Sequence, residues 1–126
     1  MSANTELVDR FIAAWKTEDV DHIVSFFHDD AVYTNVPIDP PNRGIEAIRT
    51  MIGGFLGMAQ AMEFVVHHSA ENAAAGIVMN ERTDRFQVGE RWVELPVMGV
   101  FELREGKIQA WRDYFDLAQF QNGMAG

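Results

Sequence analysis

The stretch Arg91-Trp92-Val93-Glu94-Leu95-Pro96-Val97-Met98-Gly99-Val100-Phe101-Glu102-Leu103-Arg104 spaces its apolar side chains two residues apart. Val93, Leu95, Val97, Phe101 and Leu103, with Gly99 among them, fall on one face, while Trp92, Glu94 and Glu102 share the other. Successive side chains of a strand point to opposite sides, so this segment reads as one long strand with a greasy inner surface. Period-two stretches also fill 62–69, 75–87 and 107–116. Glu71-Asn72, Val88-Gly89-Glu90 and Glu105-Gly106 supply the turns between them. The second half of the chain is therefore an antiparallel meander.

Upstream the spacing becomes helical. Leu7, Phe11, Ala14 and Trp15 fall at i, i+4, i+7 and i+8; after a polar break at Thr17-Glu18-Asp19, Val20, Ile23, Val24 and Phe27 repeat the pattern. On this reading His22 and His28 lie on the second helical segment, and Asp29-Asp30 ends it as a solvated turn. A short strand over Ala31 to Val36 precedes Pro37-Ile38-Asp39-Pro40-Pro41-Asn42, where proline fixes φ and forces an irregular loop. Gly44 restarts a helix lined by Ile45, Ile48, Ile52, Phe55 and Leu56. Gly53-Gly54 inside it costs about 1 kcal/mol per residue against alanine, which calls for a closely approaching strand or ligand. A last amphipathic segment runs from Leu117 to Asn122, with Asp116 as its N-cap. Helices followed by a curved, mostly antiparallel sheet wrapped around them make an α+β cone with one open mouth.

Bulk properties narrow the function. The chain's 126 residues, 48% of them apolar, suit a single domain spanning 1–126 with a real core. With 10 Lys plus Arg against 19 Asp plus Glu, the formal charge of -9 repels nucleic acid and anionic membranes. No run of about 18 apolar residues spans a bilayer, and the opening MSANTELVDR lacks a signal-peptide pattern, which points to the cytoplasm. The absence of cysteine excludes disulfides, thiolate metal sites and cysteine nucleophiles. The four histidines show no ligand spacing, so neither a metal nor a cofactor is expected. No Gly-x-Ser-x-Gly elbow is present.

The polar residues on the strands carry the chemistry. Arg82 and Asp84 share a face with Val78 and Phe86, Asp113 shares one with Trp111 and Phe115, and Tyr33 and Asn35 point together with Ala31. An Arg-x-Asp pair alone is usually a surface ion pair. Set beside Asp113, Tyr33 and Asn35 in apolar surroundings, it reads instead as a polar cluster whose members must bond one another, with the arginine fork bridging two acids.

In Tyr33-Thr34-Asn35, Glu81-Arg82-Thr83-Asp84, Gly99-Val100-Phe101 and, above all, Glu105-Gly106-Lys107-Ile108 leading into Trp111-Arg112-Asp113-Tyr114-Phe115-Asp116-Leu117, the chain resembles the limonene-1,2-epoxide hydrolase family. The resemblance covers nearly the whole chain and implies the cone-shaped nuclear-transport-factor-2-like fold. It also implies hydrolysis of a small apolar epoxide to a vicinal diol in one step, without a covalent intermediate. By the same resemblance, Asp113 is the base that takes a proton from water, Asn35 and Tyr33 hold that water, Asp84 is the acid on the epoxide oxygen, and Arg82 links the two carboxylates. The resemblance and the inward faces together give Phe55, Leu95, Val97, Phe115 and Phe120 as the substrate wall.

The same architecture also hosts isomerases, polyketide cyclases and non-catalytic dimers that bind hydrophobic ligands. Ketosteroid-isomerase relatives place an acid at about the position of Asn35 to abstract a carbon-bound proton, and an amide cannot do so. A homodimer is expected from the resemblance, with Trp92 on the outer sheet face as a candidate contact.

Overall fold

The computed structural model describes residues 2–38 and 40–125. Its elements are α1 (Ala3–Ala14), a 3-10 turn (Trp15–Thr17), α2 (Val20–Val24), β1 (Phe27–Asn35), β2 (Asn42–Arg43), α3 (Ile45–Met58), β3 (Ala61–Asn72), a second 3-10 turn (Ala73–Ala75), β4 (Ile77–Val88), β5 (Arg91–Arg104), β6 (Lys107–Tyr114) and α4 (Leu117–Ala125). Six strands form one sheet in the order β2-β1-β6-β5-β4-β3. The meander β3 to β6 is antiparallel throughout, and β1 joins its far edge parallel to β6. This is the expected α+β cone. The helices cover the concave face, where Phe11 of α1 meets Trp15, Phe26, Phe27, Phe101 and Trp111 edge-on at ring separations of 5.0–6.1 Å. Each such ring, fully buried, contributes about 1.5–3 kcal/mol.

Local chemistry sets the boundaries. Ser2 caps α1 by accepting from the Thr5 amide, and Asp19 caps α2 by accepting from Asp21 and His22. Gly44 takes φ of 85° at the start of α3, a conformation open to glycine. The second helix is shorter than its spacing predicts, because the chain turns extended at Phe27, whose ring reaches the core from β1 as well as it would from a helix. His28, Asp29 and Asp30 therefore lie on a strand, not at a helix end, in a stretch where β1 slips register against β6 between Phe27 and Val32. The proline loop is interrupted by the two residues of β2; Asp39 lies outside the described residues.

The expectation for Gly53-Gly54 fails. A methyl group at either position would meet no protein atom within 4 Å, so no neighbouring strand requires these glycines, and α3 is held by Ile48 and Ile52 instead. On β5, Val93, Leu95, Val97 and Phe101 are buried as expected, and Trp92 is exposed on the outer face beneath the Arg85 guanidinium. Among the described residues no helix is long and apolar enough to cross a membrane.

Candidate active site

Strand register aligns the polar groups. Asn80 on β4 lies opposite Gly99 on β5, Gly99 opposite Asp113 on β6, and Asp113 opposite Asn35 on β1, so one cross-strand row carries all four on the concave side. The row beneath it is apolar and aromatic: Val78, Phe101, Trp111 and Tyr33. An irregularity in the β5–β6 pairing allows this phase, because Ala110 pairs with Glu102 while Ile108 pairs with Leu103, leaving Gln109 as the extra residue. Ile108, Trp111 and Asp113 then all face inward.

Gly99 leaves a gap between β4 and β6, and the Arg82 side chain occupies it. A methyl group at Gly99 would collide with Arg82 Nη1 and come within 2.9 Å of both Asn80 Oδ1 and Asp113 Oδ1. Through this gap the guanidinium, 1% exposed, makes four bonds. Nε donates to Asp84 Oδ1 at 2.9 Å and Nη2 to Asp84 Oδ2 at 3.0 Å, a bidentate pair. Nη2 also donates to Asp113 Oδ2 at 2.8 Å, and Nη1 to Asn80 Oδ1 at 2.9 Å. Trp111 Nε1 donates to the other Asp113 oxygen at 2.7 Å, fixing that carboxylate from both sides. The Tyr33 ring stacks on Trp111 at 4.2 Å, and its hydroxyl donates to Asn35 Oδ1 at 3.2 Å.

The electrostatics follow from burial and charge. Burial pushes the Asp113 carboxyl up to about 6, with the Asp84 charge adding to the rise and Arg82 working against it. Burial alone would lower Arg82, but Asp113 and then Asp84 outweigh it and hold the guanidinium more firmly protonated than usual. Burial, followed by the Asp113 charge, raises the Tyr33 phenol, so it stays a neutral donor. The cluster thus combines a fixed cation with a carboxylate of enhanced basicity and a second acid on the same nitrogen.

Above the cluster opens a hollow of ≈ 580 Å³, counting its mouth. All five expected wall residues, Phe55, Leu95, Val97, Phe115 and Phe120, line it, as do Tyr33, Asn35, Asp84 and Asp113. Arg82 is absent from the lining because it lies beneath the carboxylates it joins. Sequence reasoning missed part of the site. Trp15, Ile52, Phe64, Phe86 and Trp111 complete the wall beside Met51, and Ile38 reaches it from the proline loop. Asn80 was also missed, although its position two residues before Arg82 carried the signal. The Asn80 amide nitrogen is buried with no acceptor among the described residues, a cost of about 1–3 kcal/mol. Asp116 stays outside the site as an N-cap, accepting from the Gln119 amide at 3.1 Å. His67 and His68 are exposed beside a bulge in β3, and among the described residues no group of His, Asp or Glu is gathered to hold a metal.

Comparison with known proteins identifies the family. A family model for the limonene-1,2-epoxide hydrolase catalytic domain matches residues 2–125. The epoxide hydrolase EphG of Mycobacterium tuberculosis is 35% identical over 117 residues, covering 93% of this chain and 76% of that protein. A solved M. tuberculosis epoxide hydrolase of the same type superposes with a TM-score of 0.83 at 32% identity, over 98% of this chain and 90% of the other. A protein of ketosteroid-isomerase-like fold from Catenulispora acidiphila superposes with a TM-score of 0.84 over 95% of this chain and 92% of its own; at 17% identity it shows the shared fold alone. The chain belongs to the limonene-1,2-epoxide hydrolase family and is an epoxide hydrolase.

Proposed function

We propose that this enzyme converts a small apolar epoxide, of the cyclic or aliphatic limonene-oxide type, to a vicinal diol by direct attack of water, with no ester formed on the protein. The observation that carries the reading is one guanidinium joined to two buried carboxylates at the foot of an apolar hollow, facing a tyrosine–asparagine pair. A water beside Asn35, Tyr33 and Asp113 gives a proton to Asp113 as its oxygen attacks one ring carbon. As the carbon–oxygen bond breaks, Asp84 in its acid form delivers a proton to the leaving oxygen. Both carboxylates bond Arg82 Nη2, so one cation serves the acid that gives its proton and the base that takes one. The elevated Asp113 makes a stronger base than an ordinary carboxylate yet stays ionised at neutral pH. The hollow favours an apolar substrate by about 25 cal/mol for each Å² it buries.

Single turnover of limonene oxide and cyclohexene oxide in ¹⁸O-labelled water tests the route. The expected result is label in the diol and none in the protein. Label entering either aspartate would establish an ester intermediate and sink direct attack.

A further inference from the structure

Asn80 has no place in the reading of the reaction so far, yet it lies in the same cross-strand row as Asp113 and Asn35 and touches the same guanidinium. Its orientation is forced. A guanidinium only donates hydrogen bonds, so the amide oxygen must face Arg82 Nη1, and the amide nitrogen is turned into the core, where it finds no acceptor. Turning the amide over would set two donors against each other. The position therefore carries the burden of a buried, unpaired N–H₂ group, and an apolar side chain would avoid it. Only the carbonyl end is used.

The charge balance explains why an amide suits this place. The charged groups facing the cluster are Arg82 and Asp84 from β4 and Asp113 from β6, with the neutral phenol of Tyr33 from β1. β5 contributes Gly99, Val97 and Leu95, and the helices pack Phe11, Ile52 and Phe55 against this side, none of them titratable. We infer that Asn80 is a positioning residue of the reaction: its neutral carbonyl occupies the outer arm of the guanidinium and fixes that group's plane, leaving the cation's charge to Asp84 and Asp113. An aspartate there would compete for the same charge. An aliphatic residue would free the arm to swing away from Asp113.

The inference rests on Asp113 acting as the base, so the test reads that carboxylate both with and without turnover. Asn80→Asp and Asn80→Ala are compared with the unaltered enzyme in two ways. The first is the pH dependence of kcat/KM for cyclohexene oxide; the second is direct titration of the Asp113 carboxyl by carbon NMR of ¹³C-aspartate protein, assigned with Asp113→Asn. With Asn80→Asp, both the carboxyl midpoint and the acid limb should move up by about one to two pH units. With Asn80→Ala, the midpoint should rise less and kcat should fall about tenfold with KM held within a factor of two, the pattern of a lost transition-state contact. The alanine variant decides the matter if the aspartate variant does not fold. A lowered melting temperature with the Asp113 midpoint and the acid limb unmoved would reduce Asn80 to packing and overturn the inference. A midpoint that moves while the rate profile stays put would uphold Asn80 as the tuner of Asp113 and remove Asp113 from the role of base.

Discussion

At the scale of the residue, Asp113 carries two effects of opposite sense. In the proposed reaction it acts as the base and must be ionised, so kcat/KM should fall tenfold per pH unit on the acid side of about 6. As a buried acid it opposes folding when ionised: its folded-state value lies above the unfolded value, so stability is highest while it is protonated and is lost as pH rises. Relative to Asp113→Asn, the enzyme should therefore lose stability between about pH 4 and 6, at about 1.4 kcal/mol per unit, and hold level on either side. Chemical denaturation across that range measures the difference; an enzyme that gains stability over Asp113→Asn as pH rises through that range would contradict the sign. Turnover by Asp113→Asn or Asp84→Asn should drop by about 10²–10⁴-fold with the fold intact by circular dichroism. The inward placement of Arg82, Asp84, Asp113, Tyr33 and Asn35 was legible from spacing because each has an inward partner two residues away on its own strand, whereas their roles came only from the family resemblance. Asn80 obeys the same rule, and its spacing from Arg82 was the one signal for it; with no charge of its own it drew no notice until the register set it beside a cation.

At the scale of the element, β5 does as much for the geometry of the cluster as the strands that bear the acids, because its one missing side chain lets a β4 arginine reach a β6 carboxylate. Gly99→Ala should keep the sheet, since Gly99 is not among the positive-φ glycines, and should lower kcat by about 10²-fold by driving Arg82 off its partners. Steady-state kinetics beside a thermal melt separates the two effects; unchanged kcat would mean that the arginine is not needed where it lies. β4 and β5 were readable for a simple reason: one buried face imposes strict alternation, and β5 matches its expected span to the residue. The junction of α2 and β1 was not, since Val20, Ile23, Val24 and Phe27 satisfy a helical stripe although Phe27 already belongs to a strand. Gly53 and Gly54 misled for the opposite reason: a composition that suggested close approach faces open space.

At the scale of the whole molecule, alternation told which strands exist but not which lie side by side. The meander follows from short turns, whereas the seat of β1 beside β6 depends on a parallel pairing between opposite ends of the chain, which no local pattern encodes. That seat has a kinetic consequence. Asn35 and Tyr33 meet Asp113 and Trp111 only across this long-range pair, and contacts between distant segments form late because closing a large loop costs entropy first. On refolding from denaturant, the far-ultraviolet signal of the meander should return before diol-forming activity, and activity should track the slowest phase; simultaneous recovery would contradict that order. If the proposed site is right, a newly made chain would stay chemically silent through most of its synthesis, until β6 has left the ribosome and closed on β1.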